Sequence, residues 1–367
     1  MQLFILIVLC LYVFMIIKYT VGWIKISKLS NNNFFPRVSV IIIVRNEEAQ
    51  ITALLENLQS QIYPFNKLEF IFVDDHSTDN TFALLEKSNL DNLQVLSMPK
   101  NKFGKKDGIC IAVSAAKGDI IISSDADCSF SVNWVKKMVS HFINDKIKLV
   151  SGPVLFKKKK GILQSLQALE FLSLIGSGAG AIGIDNAIFC NGANMAYRKD
   201  VFLEANNFKN DKAISGDDVF LLHSIKAKYP TSIAFAKDVD AIVQTTSPQT
   251  LDSFINQRKR WTAKSIKYKD FSTIYISFLI LITNLCFVSL FVALFFNIYF
   301  LHYFLFFYAI KFIADVCFLS PILIFFNRKD LIKWIFPFEL FYSFYIVLIV
   351  FFSFTTKFEW KDRVHTK

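Results

Sequence analysis

Residues 118–128 read GDIIISSDADC, in which an apolar strand is followed by Asp125 and Asp127. Because strand side chains alternate between two faces, positions i and i+2 are predicted to present both carboxylates on one side of the backbone. Two carboxylates form a hard oxygen site that suits Mg²⁺ or Mn²⁺ with nucleotide phosphates. A solvated turn that favours aspartate is the alternative, because D-x-D is a short pattern.

The composition indicates a membrane protein with one mixed α/β region. Of 367 residues, 53% are hydrophobic and 41 are phenylalanine, and the mean hydropathy is +0.40. The apolar excess lies in residues 1–20 and after residue 271, whereas the middle of the chain is charged. We predict a transmembrane anchor over residues 1–20, a catalytic domain over 36–265 and about three transmembrane helices over 271–356.

Cysteine spacing and charge exclude several kinds of site. The six cysteines form no C-x-x-C or Cys/His cluster, so neither a zinc site nor a disulfide framework is indicated. The net charge of +11 fits anionic lipid headgroups and a phosphorylated substrate. A nucleic-acid partner is not predicted, because the chain lacks a basic patch interleaved with aromatic residues. No feature points to a protein partner.

The first apolar segment predicts a retained anchor with a defined orientation. It is followed by Lys18, Lys25 and Lys28, whereas a cleaved signal peptide would carry positive charge before its apolar run. The positive-inside rule therefore predicts a cytoplasmic catalytic domain and an outside N-terminus. The expected location is the cell (inner) membrane, with several membrane passes.

Three later spans are predicted at residues 274–296, 299–325 and 335–354. Lys311 and Asp315 stand four apart within the second span, so we predict an ion pair facing the bundle interior. Three spans would place the basic tail (Lys357, Lys361, Arg363) outside, against the positive-inside rule. Either the last segment is interfacial or the number of spans is off by one.

Strands and helices alternate through the middle of the chain, which predicts a parallel, doubly wound sheet. Strands are expected at 38–44, 68–73 and 94–97 and before the D-x-D. Polar residues follow three strand ends, where such sheets bind ligands. No G-x-G-x-x-G or G-x-x-x-x-G-K-[ST] occurs there. A nucleotide site made of acidic side chains and a metal is therefore predicted.

Seven motifs in order resemble those of the family-2 nucleotide-sugar glycosyltransferases: VSVIIIVRNEE, FVDDHSTD, GKKDGI, SSDADC, CNGANMAYRK, SGDDVF and QRKRW. The resemblance covers residues 36–261. Membrane-bound members include cellulose, chitin and hyaluronan synthases and ceramide glucosyltransferase. It implies an α/β chain in which a GT-A domain, a Rossmann-like nucleotide-sugar-binding fold, is joined to transmembrane helices.

The resemblance also implies a donor site. Asp75 would hydrogen-bond the uracil of a UDP-sugar, with Asn46 and Glu47 lining the same pocket. Lys105, or its neighbour Lys106, would lie near the diphosphate. For Ser77, Thr78 and Asp79, capping of the following helix is the simpler interpretation.

In the same way, Asp125 would contact the ribose or the metal, and Asp127 the metal and diphosphate. Asn194, in a stretch with Asn191, Gly192 and Arg198, would approach the donor sugar and diphosphate. The alternative for this stretch is a tight turn followed by a strand.

The last two motifs imply the acceptor site. In SGDDVF, Asp218 would be the general base and Asp217 its supporting partner. Gln257, Arg260 and Trp261 stand at i, i+3 and i+4 of a predicted helix. Gln257 and Trp261 would bind the acceptor, and Arg260 the diphosphate. A basic juxtamembrane helix with an interfacial tryptophan is the alternative.

The stretch between these motifs carries no predicted site. Residues 157–160 are four lysines, expected to be a solvated or headgroup-facing surface. Four glycines within residues 176–183 follow no buried strand, so we predict a flexible, membrane-proximal segment rather than a phosphate cradle.

The implied function is that of an inverting hexosyltransferase, which moves a sugar from a UDP-sugar to a lipid or membrane-associated glycan acceptor with a divalent metal. Because few spans follow the domain, addition of a single sugar is favoured over processive polysaccharide synthesis. A non-catalytic membrane scaffold with a degenerate transferase domain is the alternative from another class, and the intact acidic motifs argue against it.

Overall fold

The computed structural model describes residues 2–30, 32–204, 217–265, 267–355, 358–360 and 363–365. The chain forms two compact units. The sheet unit contains Lys25–Lys157 and Asp185–Thr246, and the helical unit contains Met1–Ile24, Lys158–Ile184 and Ser247–Lys367.

The elements follow one another in the order α1 (Gln2–Lys25), β1 (Val38–Val44), α2 (Glu48–Gln59), β2 (Leu68–Asp74), α3 (Thr81–Glu86), β3 (Leu93–Ser97), α4 (Gly104–Ala115), β4 (Ile120–Ser124), α5 (Trp134–Val139), β5 (Leu149–Ser151), β6 (Val154–Phe156), α6 (Ile162–Ile182), β7 (Met195–Arg198), α7 (Lys199–Glu204), α8 (Asp217–Lys228), β8 (Ile233–Phe235), β9 (Val243–Thr245), α9 (Leu251–Ser265), α10 (Phe271–Ala293), α11 (Leu301–Phe325), α12 (Ile335–Thr355), β10 (Phe358–Trp360) and β11 (Arg363–His365).

A seven-stranded sheet with the order β3-β2-β1-β4-β7-β5-β8 forms the centre of the sheet unit. The first four strands are parallel, as the alternating pattern predicts. Strand β1 is buried along nearly its whole length, which explains why every residue except Ser39 is β-branched. Strand β7 runs antiparallel to both β4 and β5, a reversal that the alternation of strands and helices before it did not predict.

Residues 149–155, which resemble a strand in composition, contribute to two short strands in different sheets. Strand β5 pairs with β7 and β8, whereas β6 pairs in parallel with β9 in a separate two-stranded sheet. Gly152 lies between them, in close contact with the amide of Asn194. The sequence marks this break, because Ser151, Gly152 and Pro153 interrupt the apolar residues and a Gly-Pro pair is a turn signal.

The glycine-rich stretch is the C-terminal half of α6, so the prediction of a flexible segment is wrong. A Cβ on Gly180 would lie 2.5 Å from the carbonyl oxygen of Tyr19, and one on Gly183 would lie 2.1 Å from that of Gly22. These glycines therefore let the backbones of α1 and α6 touch. Small residues serve this purpose wherever apolar helices pack closely.

The helical unit contains the predicted ion pair, with Lys311 Nζ 2.7 Å from Asp315 Oδ2. Glu339 of α12 also binds Lys311, and the hydroxyl of Tyr12 donates to Asp315 Oδ1 at 2.6 Å. All three charged side chains are buried, which requires such pairing. Three helices, α1, α11 and α12, are thus joined by one polar cluster.

Five helices in the described part of the chain are long and apolar enough to cross a membrane: Gln2–Lys25, Ile162–Ile182, Phe271–Ala293, Ile298–Phe325 and Lys329–Ser353. Four of them correspond to predicted segments, and Ile162–Ile182 does not. Of the basic tail, Lys357 and Lys361 lie outside the described residues.

The close contact of α1 and α6 generates a first prediction. Gly180→Ala should lower the melting temperature of the detergent-solubilised protein, because the new Cβ forces two backbones apart at a cost of about 1–3 kcal/mol. Ser177→Ala, on the same helix and only partly buried, is the matched control and should melt like the wild type. Equal melting of wild type and Gly180→Ala in a scanning fluorimetry experiment would contradict this packing.

Candidate active site

The loops that follow β1 and β2 are tied together at the carboxyl edge of the sheet. Oδ1 of Asn46 accepts the Thr78 N–H at 2.8 Å, and the Asn46 N–H donates to Ser77 Oγ at 3.0 Å. Asn46 has a φ of +52°, in the left-handed region that asparagine tolerates better than most residues. Oδ2 of Asp75 accepts the Gly104 N–H at 3.0 Å, which adds the start of α4 to the same edge.

Asp79 has the local role that the simpler interpretation gives it. Its Oδ1 accepts both the N–H and the hydroxyl of Thr81, at 3.0 and 2.6 Å. Burial opposes ionisation, but these hydrogen bonds outweigh it and hold the pKa of Asp79 below its ordinary value. The Thr81 hydroxyl also accepts the Glu47 N–H at 2.7 Å, so this residue of α3 fixes the loop after β1.

Asp125 and Asp127 lie beyond the end of β4, whose last residue is Ser124. Asp127 is in a turn, so the predicted strand alternation does not apply to the pair. Each aspartate instead has its own partner. Asp125 Oδ1 is 2.6 Å from Lys105 Nζ, and Asp127 Oδ2 accepts the hydroxyls of Thr245 and Thr246 at 2.7 and 2.9 Å.

Gly192, in the CNGANMAYRK motif, lies close to residues of two other motifs, GKKDGI and SGDDVF. A Cβ on this residue would lie 3.2 Å from Lys105 Nζ and 3.3 Å from the Cβ of Asp218. Its N–H donates to Asp218 Oδ2 at 3.1 Å, and Asp218 Oδ1 accepts the Val219 N–H at 2.9 Å. The Lys105–Asp125 pair and the Asp218 carboxylate therefore converge at the carboxyl edge of the sheet.

Two serines at the end of β4 fix the loop that carries Gly192. Ser124 Oγ donates to the Ala193 carbonyl at 2.7 Å, and Ser123 Oγ donates to the Gly192 carbonyl at 3.3 Å. Both serines are buried. Because these hydroxyls immediately precede the aspartates, the strand that presents Asp125 also positions the opposing backbone.

The match to known families covers much of this sheet and its carboxyl-edge loops. Residues 39–204 match the family model described as Glycosyl transferase family 2. They form a family 2 glycosyltransferase domain.

The relatives of this family 2 domain are glycosyltransferases. The chain is 29% identical over 206 residues to the glycosyltransferase AglE of Haloferax volcanii, covering 56% of this chain and 66% of the relative. It is 25% identical over 231 residues to the poly-beta-1,6-N-acetyl-D-glucosamine synthase of Staphylococcus aureus, covering 61% of this chain and 53% of the relative. The aligned region thus spans between about half and two thirds of the length of these relatives.

The fold also matches a solved structure, the mannosyltransferase PcManGT from Pyrobaculum calidifontis in complex with GDP-Man and Mn²⁺. The TM-score is 0.59 at 18% identity, over 95% of this chain and 99% of that chain. At this identity the likeness concerns the fold alone. The GT-A fold predicted from the motifs is confirmed.

Asn194 is part of the interior of the sheet unit. It is fully buried, and its amide receives the Trp134 indole N–H at 3.0 Å and donates to the carbonyls of Pro153 and Ala241, both at 2.8 Å. These contacts favour a scaffold role, and the predicted donor contact stays a prediction. Arg198 pairs with Ile120 at the opposite end of β4, away from the carboxyl edge.

Sequence reasoning missed Thr245 and Thr246, which orient Asp127. Thr245 is the last residue of β9 and Thr246 follows it. No motif marks this three-residue strand, so only the fold brings the two threonines to the aspartate. Burial, and then the charges of Asp125 and Asp127, raise the pKa of the Cys128 thiol well above its ordinary value. A thiolate at this position is therefore disfavoured.

The QRKRW motif lies on α9 in the helical unit, as the helical spacing predicts. Gln257, Arg260 and Trp261 are partly exposed there, and their roles toward donor and acceptor stay predictions. The fully buried residue of the motif is Arg258, which sequence reasoning missed.

In the SGDDVF motif, Ser215 and Gly216 lie outside the described residues, as does the side chain of Asp217, predicted to support Asp218.

The buried contacts of Asn194 generate a second prediction. Asn194→Ala should destabilise the protein by about 3 kcal/mol, since it leaves an indole N–H and two carbonyls without partners. Asn101→Ala, at an exposed position, is the control. Calorimetric titration with UDP below the melting temperature should give a Kd within about threefold of wild type. A normal melting temperature with lost UDP affinity would instead support the predicted donor contact.

Proposed function

We propose that the protein is an inverting glycosyltransferase that moves a sugar from a UDP-sugar to a hydroxyl of a lipid or membrane-associated glycan acceptor. The observation that carries the proposal is the convergence of Lys105, Asp125 and Asp218 around Gly192. A base for the acceptor and a cation for the diphosphate are the two groups that such a transfer requires near each other.

Asp218 is the proposed general base. Its two carboxylate oxygens accept the N–H groups of Gly192 and Val219, which fix the side chain in one orientation. It removes the proton of the acceptor hydroxyl as that oxygen attacks the anomeric carbon from the face opposite the leaving diphosphate. Single displacement of this kind inverts the anomeric centre. Asp217 is proposed as its supporting partner.

Asp125 and Asp127 are proposed to hold Mg²⁺ or Mn²⁺. Among the described residues no group of three or more acidic, histidine or cysteine side chains is placed to bind a metal ion. Two carboxylates still fit, because Mg²⁺ is usually bound by one or two carboxylates together with substrate phosphates. When bound, the ion would neutralise charge on the leaving nucleotide.

The remaining donor and acceptor roles follow from the motifs. Lys105 would bind the diphosphate, and Asp75 the uracil, with Asn46 and Glu47 beside it. The mutual hydrogen bonds of these loops support a shared pocket at the carboxyl edge. On α9, Arg260 would bind the diphosphate, and Gln257 and Trp261 the acceptor.

The proposed topology is multi-pass in the cell (inner) membrane, with the family 2 domain cytoplasmic. Strand β4 precedes α6 and β7 follows it, yet the two strands pair in one sheet. A helix that crossed the bilayer would leave them on opposite sides, so α6 does not cross. The crossing helices would be α1, α10, α11 and α12.

The second candidate function is processive polysaccharide synthesis. The similarity to the poly-beta-1,6-N-acetyl-D-glucosamine synthase favours it. The described part of the chain contains four helices proposed to cross the membrane, and this number favours a single addition, because secretion of a polymer requires a conduit through the membrane. Chain length of the radiolabelled product, resolved by gel filtration, separates the two candidates.

The catalytic roles generate a third prediction. Purified protein with Mn²⁺ or Mg²⁺ should release nucleotide from one donor among UDP-glucose, UDP-N-acetylglucosamine, UDP-galactose and GDP-mannose, with polyprenyl phosphate, diacylglycerol or an oligosaccharide as acceptor. Asp218→Asn and Asp127→Ala should each lower kcat by about a thousandfold, since each removes transition-state stabilisation. Chelation of the metal should have a similar effect.

Asp91→Asn, at an exposed aspartate, is the control for loss of one carboxylate. If Asp218→Asn retained near wild-type turnover, Asp218 would not be the general base. If the wild type neither releases nucleotide from any donor nor binds UDP with metal in a calorimetric titration, the non-catalytic alternative would stand.

A further inference from the structure

A buried ion pair joins α6 and α9 within the helical unit. Glu170 is 4% exposed and Arg258 is 3% exposed. Arg258 Nε donates to both carboxylate oxygens, at 3.0 and 2.8 Å, and Nη2 donates to Oε2 at 2.6 Å. The planar guanidinium matches the carboxylate in a forked geometry that lysine cannot reproduce.

A third helix, α12, contacts the Glu170–Arg258 ion pair. The hydroxyl of Tyr345 on α12 donates to Glu170 Oε1 at 2.8 Å. Its ring stacks on Phe254 of α9, with centroids 5.7 Å apart and an interplanar angle of 21°. The carboxylate of Glu170 thus receives donors from two other helices and fixes α9 against α6 and α12.

Arg258 contacts two of the residues to which an acceptor role is assigned. Nη1 donates to Gln257 Oε1 at 2.8 Å. The guanidinium also lies 4.2 Å from the ring centroid of Trp261, within the range of a cation–π contact. Consecutive helix residues do not normally face each other, so Gln257 is turned toward Arg258 by this hydrogen bond.

We propose that Glu170 is a positioning residue for the acceptor: through Arg258 it fixes the amide of Gln257 and the ring of Trp261 in the orientation that receives a sugar or a polar lipid headgroup. The inference rests on the proposed function, because it concerns the acceptor site of that reaction. Glu170 itself does not touch the substrate.

The rival explanation is a purely structural pair. Replacing both charges of a buried ion pair together often restores stability, because neither charge is then left alone. The double variant Glu170→Gln/Arg258→Gln separates the two explanations. It removes the multiple hydrogen bonds between the Arg258 guanidinium and the Glu170 carboxylate, and also the cation beside the Trp261 ring. It leaves no unpaired buried charge.

The kinetic test uses the donor and acceptor that support transfer in the wild-type protein. The double variant, Arg258→Lys and the milder Tyr345→Phe are compared with Lys259→Gln. Lys259 is the matched control, as a neighbouring cation of α9 that lies over Phe352. The double variant should raise the acceptor KM about tenfold or more, with kcat and the donor KM changed less than about threefold, as expected for lost acceptor binding.

Arg258→Lys should show a smaller rise in acceptor KM and Tyr345→Phe the smallest, while Lys259→Gln should match the wild type. An unchanged acceptor KM in the double variant and in Tyr345→Phe would overturn the proposal. The proposal would also be overturned if kcat across these variants fell in proportion to their melting temperatures. Tyr345→Phe loses a single hydroxyl and keeps the ring stacking, so it provides a result even where the charge variants fail to fold.

A second readout does not depend on activity. The near-ultraviolet circular dichroism difference between the wild type and Trp261→Phe measures how well the Trp261 ring is ordered. The same difference taken in an Arg258→Lys background should fall to less than about half if Arg258 holds the ring. An undiminished difference would overturn the proposal. Absence of transferase activity in the wild type would count against the proposed function alone, and this spectroscopic result would still decide whether the ring is held.

Discussion

The reversed direction of β7 is the constraint on which the candidate active site depends. Ser123 of β4 pairs with Met195, the first residue of β7, whereas Ile120 pairs with Arg198, the last. The loop before β7 therefore lies at the carboxyl end of β4, next to Asp125. A parallel strand at this place would have put the same loop at the opposite edge of the sheet. One antiparallel pairing thus brings the Gly192 backbone to the Lys105–Asp125 pair and to Asp218.

The sequence is informative where structure depends on local pattern. Strand β1 was predicted residue for residue, because a strand buried on both faces is rich in β-branched apolar residues, and here only Ser39 interrupts them. The short strands β5 to β9 depend on pairing between distant residues, so the reversal at β7 was not predictable, whereas the Gly152-Pro153 pair is a local turn signal that marks the break between β5 and β6. The same limit applies to the site. The motifs predicted Asp125, Asp127 and Asp218 as site residues, but no motif indicated Thr245, which binds Asp127 from 118 positions away.

In the helical unit, the type of a residue did not predict its structural role, because that role depends on which helix packs beside it. Glycines that suggest flexibility in an isolated stretch instead allow α1 and α6 to approach until their backbones touch. Lys311 and Asp315 were predicted as a pair because they are four residues apart on one helix. Glu339 and Tyr12 complete the cluster from other helices and follow no local rule. Glu170 and Arg258 were missed for the same reason, since 88 positions separate them.

The charges at the carboxyl edge favour a further cation at the proposed donor site. Asp125, Asp127 and Asp218 contribute three negative charges, and Lys105 contributes one positive charge that is already paired with Asp125. A nucleotide diphosphate adds negative charge to the same region, where repulsion between like charges is strong because solvent is partly excluded. One lysine does not compensate this charge. Asp125 and Asp127 would hold a divalent ion that supplies the missing positive charge. The hydroxyls of Thr245 and Thr246 keep Asp127 oriented without neutralising it.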